Sequence, residues 1–202
     1  MVAFRNIFTA ALALATPITA AITPAEVVVN IQSITSVSLK LQVPAQKISI
    51  VNGPLILIGQ GPFPELIVGF ADIVSKATLA IAGMQGMPTV PAGQATDDVF
   101  NAFREFVRVH QVLLNILIGK AGLFQSVPFI GTPIAAVLRQ VEKVVDTIAF
   151  GLIATFEARA NDFKTQAGML TGSLQVCIAS YDGISVARPT RRSMAARREI
   201  AV

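Results

Sequence analysis

This chain holds a single histidine and a single cysteine, and that inventory narrows its chemistry at once. His110 sits in a segment where Phe100, Phe103, Phe106, Val107, Leu113, Leu114, Leu117 and Ile118 recur every three or four positions. At 100° per residue its ring falls within about 20° of that apolar stripe. Two readings follow. The imidazole is a core-edge group bonded to a carboxylate such as Glu142 or to a backbone group, or it meets the carboxylate head of an amphiphile in the core. A hydrolytic triad through His110 has no supporting pattern, since Gly-x-Ser-x-Gly is absent. One His and one Cys cannot build a Cys/His metal cluster. Ile118-Gly119-Lys120-Ala121-Gly122 lacks the spacing and the Ser/Thr of a phosphate-binding loop. Cys177 falls on an apolar stripe and reads as a small buried hydrophobe. No catalytic residue, metal or cofactor is expected. Phe100, Phe103, Phe106, Phe124, Phe129, Phe150, Phe156 and Phe163 are either ordinary core or the lining of an apolar cavity between helices, a common place for ligand pockets.

The elements that must position these residues are helices. After the stripe of His110 comes a second one, Ile134, Leu138, Val141, Val145, Ile148, Leu152 and Phe156, with the same spacing and no period of two. The corner Val127-Pro128-Phe129-Ile130-Gly131 joins them, so the two should pack face to face as an antiparallel pair. Upstream, Thr23-Pro24-Ala25-Glu26 is a helix start with a capping box. Its stripe is Val27, Ile31, Ile34, Leu41, Ala45 and Ile48, interrupted by Ser38. Pro44 predicts a kink or break there, and Asn52-Gly53-Pro54 an end. Pro64-Glu65 opens a second helix, with Leu66, Phe70, Ile73, Val74 and Ala77 on one face. Gly83 to Gly93 reads as a flexible loop. Thr96-Asp97-Asp98 opens the third helix, and Thr132-Pro133 the fourth. A fifth begins near Asp162 and carries Phe163, Ala167, Leu170, Leu174, Cys177, Ile178 and Tyr181. In it Gly168 and Gly172, four apart, would admit another helix closely. Asp182-Gly183 stops it. The expected fold is all-α, an antiparallel bundle of about five helices without disulfides.

Composition sets the compartment. Met1–Asn6 with Arg5, the apolar run 7–15 and the small residues Thr19, Ala20 and Ala21 form the pattern of a secretory signal peptide, assigned to 1–20. Residues 21–183 form the helical domain. No later stretch reaches about 18 uninterrupted apolar residues. The apolar fraction is 53% and the charged fraction 14%, greasy for a soluble domain. Residues 184–202 hold five arginines against Glu199, while 21–183 balances ten basic against eleven acidic residues. A nucleic-acid-binding face is therefore not expected. The basic tail reads as a solvated, disordered end. Alternatively, it contacts an anionic surface through Arg191, Arg192, Arg197 and Arg198, or is trimmed by a dibasic-specific protease. No asparagine is followed two residues on by Ser or Thr, so N-glycosylation is not expected.

A signal peptide, an early helix of Ile/Val repeats with Ser and Thr between them (Ile31-Gln32-Ser33-Ile34-Thr35), long helices without disulfides, and a closing helix ending Tyr181-Asp182-Gly183 together resemble the fungal hydrophobic-surface-binding protein A family, which includes cell-wall galactomannoproteins. The resemblance covers roughly 25–183. It implies a secreted all-α bundle that adsorbs to hydrophobic surfaces and in some members encloses a fatty-acid-like ligand. Pro44 and the basic tail depart from the family pattern. No signal for a lipid anchor follows Gly183.

The expected function is a secreted, non-catalytic binder of hydrophobic surfaces or of fatty-acid-like lipids, extracellular or in the cell wall. Its ligand-binding residues are expected to be Phe103, Phe106, His110, Leu114, Val141, Val145 and Ile148, which share facing stripes. The alternative is an interaction or effector protein that meets a host or wall protein through loop 83–93 and the basic tail.

Overall fold

The structure is a computed structural model that describes residues 22–52, 55, 59–124 and 131–182. Five long helices carry it: α1 Pro24–Lys47, α2 Pro62–Met84, α3 Gln94–Ala121, α4 Gly131–Thr155 and α5 Ala160–Asp182. Short 3-10 turns follow α1, α3 and α4. There is no strand among the described residues. The all-α bundle read from the stripes is the observed fold. The assigned signal peptide and basic tail lie outside the described residues, as does most of the corner between α3 and α4.

Local signals account for most helix ends. Thr23 caps α1 as expected: the Glu26 N–H donates to Thr23 Oγ1 at 3.3 Å, and the Thr23 N–H donates to Glu26 Oε2 at 2.7 Å. The bond from the Thr23 backbone, and then the Thr23 hydroxyl donating to the same oxygen at 2.8 Å, hold the Glu26 carboxyl below its usual range. Pro44 does not break α1, which runs on to Lys47. Only one backbone bond is lost at Pro44, in the last turn, and its ring is buried in the core. The helix stops before the expected Asn52, whose side-chain amide donates to the Lys47 carbonyl at 2.7 Å and so covers a carbonyl the helix leaves open. α2 and α3 each begin two residues before the expected Pro64 and Thr96, and α4 takes in Gly131. Helix α5 starts two residues ahead of Asp162.

The packing order departs from the sequence order. α1 packs on α2 and α3, α3 on α5, α5 on α4, and α4 on α2, which closes a ring. The bonds between neighbours fix directions. Ser38 meets His110 and Lys120 Nζ donates to the Ile48 carbonyl, so α1 and α3 run parallel. Gln111 donates to Ser173 at 3.1 Å and the Tyr181 hydroxyl to the Leu117 carbonyl at 2.9 Å, so α3 and α5 also run parallel. Thr171 donates to Asp146 at 2.9 Å and Arg139 pairs with Asp182, so α4 and α5 are antiparallel. The result is a layer of three parallel helices, α1, α3 and α5, over a layer of two, α2 and α4. Successive helices alternate in direction, but α3 and α4 do not pack face to face as their short connection suggested. They lie across the ring from each other, and their stripes meet in a shared core rather than backbone to backbone.

Close approach uses glycines other than the expected pair. A Cβ on Gly69 would collide with Leu41 of α1, and one on Gly151 would come within 2.9 Å of Met84. A Cβ on Gly168 or Gly172 would meet open space, so that pair admits no helix. Helix α2 is apolar outside as well as inside. It is long and apolar enough to cross a membrane by length and composition, and it exposes Val68 and Leu79 to solvent at 69% and 71%.

Candidate ligand-binding site

All seven residues read as ligand-binding are buried: Phe103, Phe106, His110 and Leu114 from α3, and Val141, Val145 and Ile148 from α4. Six of them belong to one apolar core, and His110 packs on it through Phe70 and Phe106. The interior is otherwise nearly free of polar side chains. Only Ser38, Thr96, His110 and Thr155 are buried polar residues among those described, and no Asp, Glu, Lys or Arg is buried.

Two of these four meet. Ser38 Oγ lies 2.8 Å from His110 Nδ1. The expected partner Glu142, or a backbone group, is thus replaced by a hydroxyl on α1. Ser38 Oγ also lies 3.2 Å from the Ile34 carbonyl one turn back. The other ring nitrogen, His110 Nε2, is buried and has no hydrogen-bond partner. An unpaired polar group in such a place costs about 1–3 kcal/mol, so it calls for an explanation beyond packing. Burial pushes the imidazole pKa down to about 4, so the ring is neutral at pH 7.

A serine bonded to a histidine invites comparison with a hydrolase, and the geometry argues against it. In a triad the second ring nitrogen is held by a carboxylate, and here it is held by nothing. Ser38 is in mid-helix and fully buried.

Aromatic rings lead away from His110 in a continuous column. Phe70 of α2 stands edge-on to the imidazole at 6.2 Å between centroids, and Phe106 lies at 5.3 Å. Phe106 touches Phe103 at 6.1 Å, and Phe103 touches Phe163 of α5 at 5.7 Å. Phe163 then meets Phe156 at 6.2 Å and Phe100 at 5.5 Å. The column runs from the middle of α3 to the end of the bundle where α3 and α5 begin. There the guanidinium of Arg159 covers the Phe100 ring at 5.3 Å and bonds to both Asp162 and Asp97, which tie α5 to α3. Those two bonds, Asp162 first, raise the Arg159 pKa.

At the same end a groove of about 430 Å³ lies between the last turns of α2 and α4. Ile81, Met84, Met87, Phe150, Gly151 and Thr155 are among its lining residues. Met84 belongs to the core, and Thr155 is followed in the chain by Phe156, the last ring of the column. Phe150 is 72% exposed at the rim. The segment expected to be a flexible loop crosses here. It is tied down, because the Val90 N–H donates to the Thr155 carbonyl at 2.8 Å and Thr96 donates to the Pro91 carbonyl at 2.8 Å.

A larger groove, about 840 Å³, lies between the first halves of α1 and α3. Gln32, Thr35, Ser36, Asp98, Asn101 and Glu105 give it a polar rim, and none of the seven expected residues lines either groove. Glu105 there is bound to Arg108 by two bonds of 2.6 and 2.8 Å, and that contact lowers its pKa. The smaller groove, although only half the volume, is the one lined by a buried core residue, Met84.

Sequence reasoning found His110 and the ring stripe but missed Ser38, Phe70, Met84 and Met87. One signal was available. Ser38 interrupts one apolar stripe and His110 another, and two polar side chains in apolar stripes must find each other or remain unpaired.

No family model matches the chain, and no curated protein matches it in sequence. Solved structures do resemble it. Afmp4p in complex with palmitic acid superposes with a TM-score of 0.69 at 14% identity, covering 79% of this chain and 99% of the other. Ligand binding domain 2 of the Penicillium marneffei MP1 protein, in complex with arachidonic acids, gives 0.67 at 14% identity over 85% of this chain and all of that one. Domain 1 of the same protein, also with arachidonic acids, gives 0.67 at 12% identity over 79% and 99%. At such identities these likenesses establish a shared fold.

Proposed function

We propose that the chain is an exported, non-catalytic binder of fatty-acid-like lipids, which takes the hydrocarbon chain between the two helix layers. The observation that carries this reading is the unpaired polar atom at the inner end of an aromatic column in an otherwise apolar core. The fold shared with three structures solved in complex with palmitic or arachidonic acid supports it. The residue pattern shared with the fungal hydrophobic-surface-binding proteins is consistent with it, as is the leader-like segment at residues 1–20. Phenylalanine and methionine suit the task, because a ring turn or a rotamer change makes room without moving backbone. Burying a chain of roughly 16 carbons releases about 12 kcal/mol before the costs of association. Micromolar affinity, near −8 kcal/mol, is then within reach.

The test is native mass spectrometry of protein collected from culture medium, then solvent extraction. The expected result is a mature chain lacking the first 20 or 21 residues and carrying about one fatty acid. A chain that stays bare after incubation with fatty acids, with an unshifted melting temperature, would refute the reading.

A further inference from the structure

Building on that reading, we propose that His110 and Ser38 form the head-group site, and that a fatty acid binds there together with one proton. The geometry gives the pair two proton arrangements. The Ser38 hydroxyl has one hydrogen and two acceptors within reach, the Ile34 carbonyl at 3.2 Å and His110 Nδ1 at 2.8 Å. If the hydrogen points to Nδ1, Nε2 carries the ring proton and donates. If it points to Ile34, Nδ1 donates to Ser38 and Nε2 offers a lone pair. A carboxyl group answers either state, because its protonated form both donates and accepts. Hydrocarbon answers neither.

Charge decides the proton count. No Asp, Glu, Lys or Arg among the described residues is buried, so an ionised carboxylate beside a neutral imidazole would have no counter-charge. Around His110, α1 carries Lys40 and Lys47, α2 carries Glu65, Asp72 and Lys76, and α3 carries Arg104, Glu105, Arg108 and Lys120, all exposed or half-exposed. α5, which packs on α3, adds the buried Cys177 and Tyr181, both pushed upward by burial and neutral near pH 7. Nothing fixed in the core compensates the anion. The ligand is ionised in water at pH 7. Carboxylate, neutral imidazole and one proton therefore combine into a pair that is neutral overall, either carboxylic acid on imidazole or carboxylate on imidazolium.

The probes are dodecanoic acid and 1-dodecanol, titrated calorimetrically between pH 6 and 8 in two buffers of different ionisation heat. The expected result is one proton taken up per acid and none per alcohol. The affinity for the acid should weaken about tenfold per pH unit as pH rises, with the alcohol unchanged. His110→Phe should weaken the acid at least tenfold. Nitrogen NMR of the His110 ring in the unaltered protein should show Nε2 shifting on addition of the acid, a readout that does not depend on the variant folding. Acid binding without proton uptake, or with the Nε2 signal unmoved, overturns the head-group site and leaves lipid binding intact. Failure of both probes to bind overturns the lipid reading and this inference with it.

Discussion

Burial of His110 couples the protonation of a single side chain to the stability of the bundle. The imidazole pKa falls from 6.5 to about 4 on folding. Its contribution is therefore complete above pH 6.5, declines as pH falls, and is gone below about pH 4. The slope in that window is about 1.4 kcal/mol per pH unit, about 3 kcal/mol in all. Urea unfolding at pH 7 and pH 4.5 should show this loss in the unaltered protein and a clearly smaller one in His110→Phe; equal losses would mean that surface carboxylates dominate. At this scale the sequence was half legible. The position of His110 was readable from its stripe because helical phase is a local property. Its partner was not, since Ser38 lies 72 residues away and the pairing depends on which helices become neighbours.

Helices were legible at their starts and along their stripes, and less so in what their glycines do. A glycine four residues from another looks the same in sequence whether it faces a neighbour or water. Gly69 faces Leu41, whereas Gly168 and Gly172 face solvent. Gly69→Ala should therefore lower stability by about 1–3 kcal/mol through overpacking. The double change Gly168→Ala and Gly172→Ala should raise it by about 0.5–1 kcal/mol per site, as backbone freedom is removed from the unfolded chain. Thermal melting of the two variants beside the parent gives the signs directly. Loss of stability in the double variant would place a partner on that face of α5. Pro44 teaches a similar lesson: a helix breaker one turn from the end removes a single bond and can serve as core.

For the molecule as a whole, the sequence disclosed the number of helices but not their ring. Every helix has an apolar stripe, and stripes do not name their partners. Only the packed molecule shows rings of α3 meeting Phe70 of α2 and Phe163 of α5. The same view separates two kinds of apolar contact. The aromatic column reaches His110 inside the core, while the outer face of α2 presents Val68 and Leu79 to water. Apolar area exposed in this way is suited to adsorption. Val68→Glu with Leu79→Glu should sharply reduce retention on hydrophobic beads while leaving fatty-acid affinity within about twofold. A loss of both would mean that one surface serves both tasks.

Where the chain clasps itself has a kinetic consequence. A single backbone bond, Val90 to Thr155, holds the strap beside the groove, and Phe156 begins just behind it. A guest seated on His110 would leave through this end, so its residence time would follow a local opening event rather than global unfolding. Release could then be fast in a bundle that remains thermodynamically robust, and the two properties could change independently in evolution.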